Sequence, residues 1–177
     1  MRALLFACIA LFAIGAHAQW IDHATGKVLP DTNARKSLGN TGVSLVLTSG
    51  AASFIEEWKN SPESHAPRIP PLGLVKRGDS VWVLLFFTGC GAEGPPCESV
   101  VDYTILKPDG SVYGRVPSNR ITTQPSAKPR IIYLSQAYLQ IRIEHQDPFG
   151  KYRVLARFSE PSAKSSVELE SEFEVSQ

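Results

Sequence analysis

The chain has 177 residues, with 18 Lys or Arg against 17 Asp or Glu, so its formal net charge is +1. A chain of this length suits one domain that buries most of its unfolded surface. Nucleic acids and anionic membranes both attract basic surfaces, and the balanced charge favours neither as a partner.

The first 18 residues have the three parts of a secretory signal peptide. Arg2 supplies the basic start, an apolar run follows, and Ala16-His17-Ala18 is a small-x-small cleavage site. A membrane anchor is the alternative, but the apolar run is shorter than the about 20 residues that a spanning helix needs. We expect cleavage after Ala18, no stable membrane insertion afterwards, and a periplasmic or secreted protein.

Residues 19–42 are polar and rich in turn-forming residues, which predicts an extended N-terminal arm ahead of a β-sandwich domain over residues 43–177. Trp20 and Ile21 are the residues expected to hold this arm against the body. The β-branched, apolar stretch VSLVLT at 43–48 predicts the first strand of the domain.

The stretch SGAASFIEEWKNSP predicts a short helix that ends before Pro62. Ser53 and Glu56 have the spacing of a capping box. Phe54 and Trp58 are four residues apart and share a helical face. Trp58 is either a ligand contact or a cover for the core, and the cover is the favoured interpretation.

Four prolines in SPESHAPRIPP, at 61–71, predict a long surface connection rather than a helix or a central strand. The following run from Val81 to Phe87 is apolar at every position. Such a strand is either central and covered on both faces, or its outward face meets the short helix.

Two cysteines remain after signal cleavage, Cys90 and Cys97, in the stretch CGAEGPPC. An even pair in an exported chain predicts a disulfide. A metal or redox pair is the alternative, but this spacing matches no common zinc site and no histidine is near in sequence. We expect a disulfide-closed loop, stiffened by Pro95 and Pro96, and no metal or cofactor.

The stretch YTILKPDGSVYG predicts a hairpin whose turn is formed by Pro108 and Gly110. Its second arm is expected over Ser111–Val116, followed by a loop over 117–130. Further strands are predicted at IIYL, 131–134, and at LQIRIE, 139–144.

Glutamate occupies every second position of VELESEFEV near the C-terminus. Alternate residues on a strand face are about 6.6–7 Å apart, which is too far for neighbours to chelate one cation. A calcium site and an acidic docking stripe are therefore the less favoured interpretations. Folding this segment against KYRVLARF instead gives the glutamates basic neighbours, and a slip of one residue would turn them into the core. The predicted partners are Phe158 with Val167, Arg157 with Glu168, Leu155 with Glu170, Arg153 with Glu172 and Lys151 with Glu174.

Short strands, frequent turns and one short helix predict an all-β, immunoglobulin-like antiparallel β-sandwich. The segments EHQDPFGKYRVLARF and VELESEFEV resemble the last two strands of immunoglobulin-like domains of bacterial exported proteins, of the macroglobulin and fibronectin-III types. Their D-x-x-G-x-Y pattern is present as Asp147, Gly150 and Tyr152. The chain departs from such domains because both cysteines are in one local loop and no cysteine pair is placed to join the sheets through the core.

No motif in the sequence indicates a catalytic site. His23, His65 and His145 have no nucleophile signature near them.

We therefore expect a non-catalytic binding or assembly module of the periplasm or cell envelope, whose partner is another envelope protein. The alternative is an enzyme, or an enzyme inhibitor, with a site assembled from dispersed loop residues. A subunit that pairs its edge strand with a partner is a third hypothesis. The residues predicted to contact a partner are Trp58, Phe87, Glu93, Pro95 and Pro96.

Overall fold

The computed structural model describes residues 20–21, 25–62, 66–91, 97–122, 131–161 and 164–177. Within these ranges the chain forms one helix, α1 at Ala51–Asn60, and a series of antiparallel strands. The strands are β1 Trp20–Ile21, β2 Val28–Leu29, β3 Arg35–Leu38, β4 Thr41–Thr48, β5 Ser80–Thr88, β6 Glu98–Leu106, β7 Val112–Thr122, β8 Tyr133–Leu134, β9 Leu139–Arg142, β10 Gly150–Glu160 and β11 Ser165–Val175.

The strands form two main sheets. One has the order β11-β10-β6-β7, and the other has the order β3-β4-β5-β8, with β9 also pairing with β5. The chain changes sheet between β5 and β6, between β7 and β8, and between β9 and β10. The predicted immunoglobulin-like, all-β antiparallel sandwich with one short helix is confirmed.

The core lies between the two sheets and follows the alternation of side chains along each strand. Strand β5 contributes Val81, Val83, Leu85 and Phe87, each at most 2% exposed. Strands β6 and β10 contribute the residues that face them, among which Tyr103 and Tyr152 are the largest. Buried positions accordingly recur at every second residue along most of β6 and β10.

Strand β5 buries its outer face as well, under α1. Phe54 of the helix and Leu84 and Phe86 of the strand belong to a second cluster of buried residues. The predicted contact between the apolar strand and the helix is thus confirmed. The predicted capping box is wrong, because α1 begins at Ala51 with Gly50 as its cap, no side chain caps it, and Ser53 lies inside the helix.

The hairpin β10–β11 has the predicted register at every position, from Arg157 opposite Glu168 to Lys151 opposite Glu174. The ion pairs, however, are diagonal rather than directly opposite. Lys151 Nζ lies 2.8 Å from Glu172 Oε1, and Arg153 Nε lies 2.6 Å from Glu170 Oε1. Long side chains reach such diagonal neighbours easily, so each base contacts the glutamate next to the one it faces.

The outer edge of β11 is partly covered. The Glu170 amide donates to the carbonyl of Asn33, at 2.8 Å, and the Ser176 amide donates to the carbonyl of Val75, at 3.0 Å. Val75 and Val175 also form an isolated parallel bridge. These contacts satisfy part of an edge that would otherwise present unpaired backbone groups.

Part of the segment expected as an extended arm belongs to the sandwich. Residues Arg35–Leu38 pair with β4, with Leu38 opposite Thr41, and form the edge of the larger sheet. Trp20 packs against Gly42, and its indole N–H points to the carbonyl of Lys36, at 3.5 Å. Ile21, the other residue expected to hold the arm, is 59% exposed.

Strand β7 is longer than predicted and continues to Thr122 through residues expected as loop. Pro117 is tolerated there because β7 is an edge strand and needs no partner on its outer side. Ser118 has a φ of 55°, and the register between β6 and β7 shifts at this point. The irregularity is held by the Ser118 amide, which donates to Asp102 at 2.7 Å.

The beginning of β10 is held by a cluster of tyrosine and aspartate. The Tyr152 hydroxyl donates to the carbonyl of Pro148, at 3.0 Å, a corner typical of immunoglobulin-like sandwiches. The buried Asp147 carboxylate accepts from the Tyr113 hydroxyl and from the Glu144 amide, both at 2.7 Å. Burial, followed by the hydrogen bond with Asp147, raises the pKa of Tyr113.

Candidate functional site

The predicted disulfide between Cys90 and Cys97 is confirmed. Cys90 follows β5 and Cys97 precedes β6, so the bond links the end of one sheet to the start of the other although it is local in sequence. Both cysteines are buried, and the Ser99 hydroxyl lies 3.2 Å and 3.3 Å from their sulfurs. These contacts indicate a structural role.

The residues predicted to contact a partner do not form one surface. Phe87 is 2% exposed and stacks on Tyr133 inside the sandwich, with 5.7 Å between ring centroids, so its side chain is unavailable to a partner. Trp58 is partly buried and packs on Phe54 and Phe86. It therefore covers the second cluster, as the favoured interpretation required. Glu93, Pro95 and Pro96 lie outside the described residues.

A different group of side chains forms a coherent site on the outer face of the larger sheet. We define the aromatic patch as Ser80, Trp82, Tyr138 and Gln140. Trp82 and Gln140 are directly opposite each other on β5 and β9. The rings of Trp82 and Tyr138 have centroids 6.0 Å apart and are tilted by 48°. Tyr138 is 37% exposed, and Trp82 is half-buried.

Hydrogen bonds from the core fix the backbone of the segment that carries Tyr138. The hydroxyl of Tyr103, which is 1% exposed, donates to the carbonyl of Ala137 at 2.7 Å. The Ser135 amide donates to the carbonyl of Leu85 at 2.8 Å, and the Ala137 amide donates to the Ser135 hydroxyl at 3.0 Å. Tyr138 is therefore presented by a fixed loop beside a central strand.

Polar groups without charge surround the two rings. The Gln140 amide nitrogen donates to the Ser80 hydroxyl at 3.0 Å, which leaves the other N–H and the carbonyl oxygen of that amide for further bonds. The nearest charged residue along β9 is Arg142, which lies 3.9 Å from Glu144 in an exposed ion pair.

The ranges that the structure describes contain no candidate metal centre. No group of three or more His, Cys, Asp or Glu side chains there has a geometry able to hold a metal ion. His145 is exposed, whereas His23 and His65 lie outside the described residues. In the described ranges, no helix is long and apolar enough to cross a membrane.

A shallow cleft of about 330 Å³ lies beside the edge of β11, between residues 32–34 and 170–172. Its two carboxylates are already engaged, since Glu170 contacts Arg153 and Glu172 contacts Lys151. The hydrogen bond with Arg153 lowers the pKa of Glu170, and the bond with Glu172 raises the pKa of Lys151. A carboxylate held ionised by a base is poorly suited to proton transfer, so the cleft is a weak catalytic candidate.

Sequence reasoning missed the aromatic patch. In the sequence, Trp82 is one member of an apolar run, and Tyr138 lies between the strands predicted at 131–134 and 139–144. The available signal was the pattern Tyr138-x-Gln140-x-Arg142 of outward positions on a strand whose alternate residues, Leu139 and Ile141, face inwards. Its position beside Trp82 depends on the pairing of β9 with β5, which the sequence does not specify.

No protein-family model matches the chain, and no curated protein matches it. Among solved structures, it is similar to the alkylpurine DNA glycosylase AlkC of Pseudomonas fluorescens, bound to DNA containing an abasic site analogue. The identity is 14%, the coverage is 59% of this chain and 27% of that chain, and the TM-score is 0.39.

The chain is also similar to a family 123 glycoside hydrolase from Clostridium perfringens, with 9% identity, coverage of 77% of this chain and 27% of that one, and a TM-score of 0.46. A Niemann-Pick type C2 protein from the Japanese carpenter ant is 7% identical over 75% of this chain and 89% of its own, with a TM-score of 0.36. The chain thus spans about a quarter of the first two structures. Likenesses this remote carry no functional argument.

Proposed function

We propose that this protein is an exported, non-catalytic binding or assembly module of the bacterial periplasm or cell envelope, and that it binds through the aromatic patch. The observation that carries the proposal is the pair Trp82 and Tyr138, which contact each other on the outer face of the larger sheet and are both only partly buried, although Trp82 also packs against the second cluster. Partly exposed aromatic side chains on a rigid scaffold contribute strongly to binding, because little conformational freedom is lost when a ligand covers them.

The proposed location is supported by two independent features. The N-terminal sequence has the parts of a signal peptide with a cleavage site at Ala16-His17-Ala18. The buried disulfide between Cys90 and Cys97 is typical of proteins that fold in an oxidising compartment. Direct sequencing of the exported protein is expected to give Gln19 as the first residue.

We further propose membership of the immunoglobulin-like domains of bacterial exported proteins, of the macroglobulin and fibronectin-III types. The hydrogen bond from Tyr152 to Pro148 supports it, because the D-x-x-G-x-Y pattern of Asp147, Gly150 and Tyr152 has the corner geometry of such domains. The family alone does not define the ligand, so the proposed function depends on the patch.

Photo-crosslinking in the exporting bacterium tests the proposed function. A photoreactive phenylalanine analogue replaces Tyr138 in one variant and Phe149 in the control. Phe149 is 40% exposed, similar to the 37% of Tyr138, but lies on the loop before β10. We expect a discrete crosslinked product from position 138 and none from position 149. Equal products from both positions, or a product from 149 alone, would contradict binding through the patch.

A further inference from the structure

We propose that the ligand of the aromatic patch is a neutral glycan, bound with the face of a sugar ring against Trp82 and Tyr138. This inference rests on the proposed function and adds the chemical class of the ligand. It is carried by the combination of aromatic surface and uncharged hydrogen-bonding groups in one small area.

The aromatic component fits the apolar face of a sugar ring. The rings of Trp82 and Tyr138 are 6.0 Å apart and tilted by 48°, so they form an angled surface rather than a flat stack. The C–H groups on one face of a pyranose carry partial positive charge, and the face of an aromatic ring is negative. A sugar ring placed in this angle contacts both side chains.

The polar component fits hydroxyl groups. Hydroxyls both donate and accept hydrogen bonds, and the primary amide of Gln140 does the same. One of its N–H groups is bonded to the Ser80 hydroxyl at 3.0 Å, which orients the amide, while its remaining N–H and oxygen stay available. The indole N–H of Trp82, which is opposite Gln140 on β5, adds a donor to the patch.

The charge at the patch argues for a neutral ligand. Ser80, Trp82, Tyr138 and Gln140 carry no charge. Arg142 is directly opposite Ser80, but Glu144 lies 3.9 Å from its Nε, so this adjoining base and acid together add no net charge. An anionic sugar would need an unpaired base, which a patch of these four residues does not supply. A proline-rich peptide is the other ligand that aromatic surfaces commonly bind, but the donors and acceptors around the rings favour hydroxyls.

The fixed geometry of the patch also suits a glycan. A sugar ring is rigid, so recognition requires contacts that are already in place. The hydrogen bond from the buried Tyr103 hydroxyl to Ala137, at 2.7 Å, holds the backbone next to Tyr138. Trp82 is held on the central strand of the larger sheet.

Isothermal titration calorimetry with neutral oligosaccharides tests this inference. The probes are cellohexaose, maltohexaose, xylohexaose and N-acetylchitohexaose, and the proteins are the mature chain and the variants Tyr138→Ala, Gln140→Ala and Phe149→Ala. We expect at least one probe to bind the unmodified protein. We expect about a tenfold loss of affinity in Tyr138→Ala, a loss of about threefold in Gln140→Ala, and no change in Phe149→Ala. Thermal melting of each variant verifies that it is folded. We expect both patch variants to fold, because the substitutions replace exposed side chains.

Three results would overturn the inference. These are the absence of binding by all four probes, equal binding by Tyr138→Ala and the unmodified protein, and tighter binding of a decaproline peptide than of any probe. If the probes fail while the crosslinker at position 138 still captures a discrete product, only the glycan is wrong and the binding module stands. If position 138 captures nothing, the proposed function itself fails.

Discussion

The outer faces of the two sheets differ in how their side chains are satisfied. On the hairpin β10–β11, the exposed side chains are mostly charged, and Lys151 and Arg153 find partners within the hairpin. On the larger sheet, α1 covers the apolar part of the face, while Trp82 and Tyr138 remain partly exposed at its side. Two bases of the first surface therefore have carboxylate partners within the hairpin, whereas the second surface keeps two partly exposed aromatic side chains.

This difference teaches which surface to associate with folding and which with binding. Exposed ion pairs add little to stability, but a shift of one residue would place the glutamates of β11 in the core, so they define the register. The loop that carries Tyr138 is held by hydrogen bonds from the core, and we associate the aromatic patch beside it with the proposed binding. The following substitutions test this contrast, from the largest expected effect to the smallest.

Removing the helix contact is expected to damage the larger sheet most. Phe54 is 1% exposed and contacts Trp58 and Phe86. Phe54→Ala is expected to lower the free energy of unfolding by about 3–5 kcal/mol, because it leaves a cavity in the second cluster. Urea denaturation measures the change, with the exposed Phe149→Ala as control. A change below about 1 kcal/mol would mean that α1 is not docked as described.

Removing one buried hydroxyl is expected to loosen the patch without unfolding the protein. Tyr103→Phe leaves the carbonyl of Ala137 without its 2.7 Å hydrogen bond. We expect a loss of about 1–2 kcal/mol of unfolding free energy and faster amide hydrogen exchange over residues 135–138. Tyr138→Phe is the matched control, since it removes an exposed hydroxyl. Unchanged exchange in Tyr103→Phe would show that this bond does not fix the patch.

Reversing a charge on the other face is expected to matter much less. Glu172→Lys places two bases side by side, because Glu172 contacts Lys151 at 2.8 Å. We expect the melting temperature to fall by about 3 °C or less, since exposed pairs are weak and solvent screens them. Glu98→Lys, on β6, is the control. A collapse of folding in Glu172→Lys alone would show that this side chain faces the core.

The smallest expected effect is a change in proton binding. Arg153 lowers the pKa of Glu170, so this carboxylate stabilises the fold above the ordinary glutamate pKa, and the stabilisation is lost as the pH falls through its lowered folded-state pKa. In Arg153→Gln, the pKa of Glu170 is expected to rise toward its ordinary value. A carbon-13 NMR titration of the Glu170 carboxyl measures it. An unchanged pKa would mean that the 2.6 Å pair does not persist in solution.

The sequence predicted those elements in which one pattern dominates. The register of β10 and β11 follows from their alternation, since apolar residues such as Phe158 and Val167 must share the inner face. The contact of β5 with α1 follows because a strand that is apolar on both sides needs cover on both sides. These features depend on the burial of many side chains. The free energy gained by that burial exceeds the local conformational preferences of the individual residues.

The elements that the sequence did not predict depend on weaker interactions, or on contacts between residues that are far apart in the sequence. Strand β3, with the sequence RKSL, has no apolar alternation and exists because β4 offers a free edge. The capping box at Ser53 failed because the helix begins earlier, at Ala51. The diagonal partners of Lys151 and Arg153 depend on side-chain conformations, which the register does not determine.

The candidate site was the least predictable part. Trp82 and Tyr138 are 56 positions apart and meet only because β9 pairs with β5. The prediction that Phe87 contacts a partner is wrong, because its position in the strand places it in the core. The sequence shows which residues are apolar, but the pairing of the strands determines which of them remain accessible.

The indole resonances of nitrogen-15-labelled protein provide the most direct test of binding through the aromatic patch. The chain contains Trp20, Trp58 and Trp82, and each has one indole N–H that is visible in a two-dimensional spectrum. On addition of cell-envelope extract from the organism that produces the protein, we expect the Trp82 signal to shift while the Trp20 and Trp58 signals stay in place. A Trp82 signal that does not move while backbone amides of β10 and β11 shift would contradict the account and assign binding to the charged face.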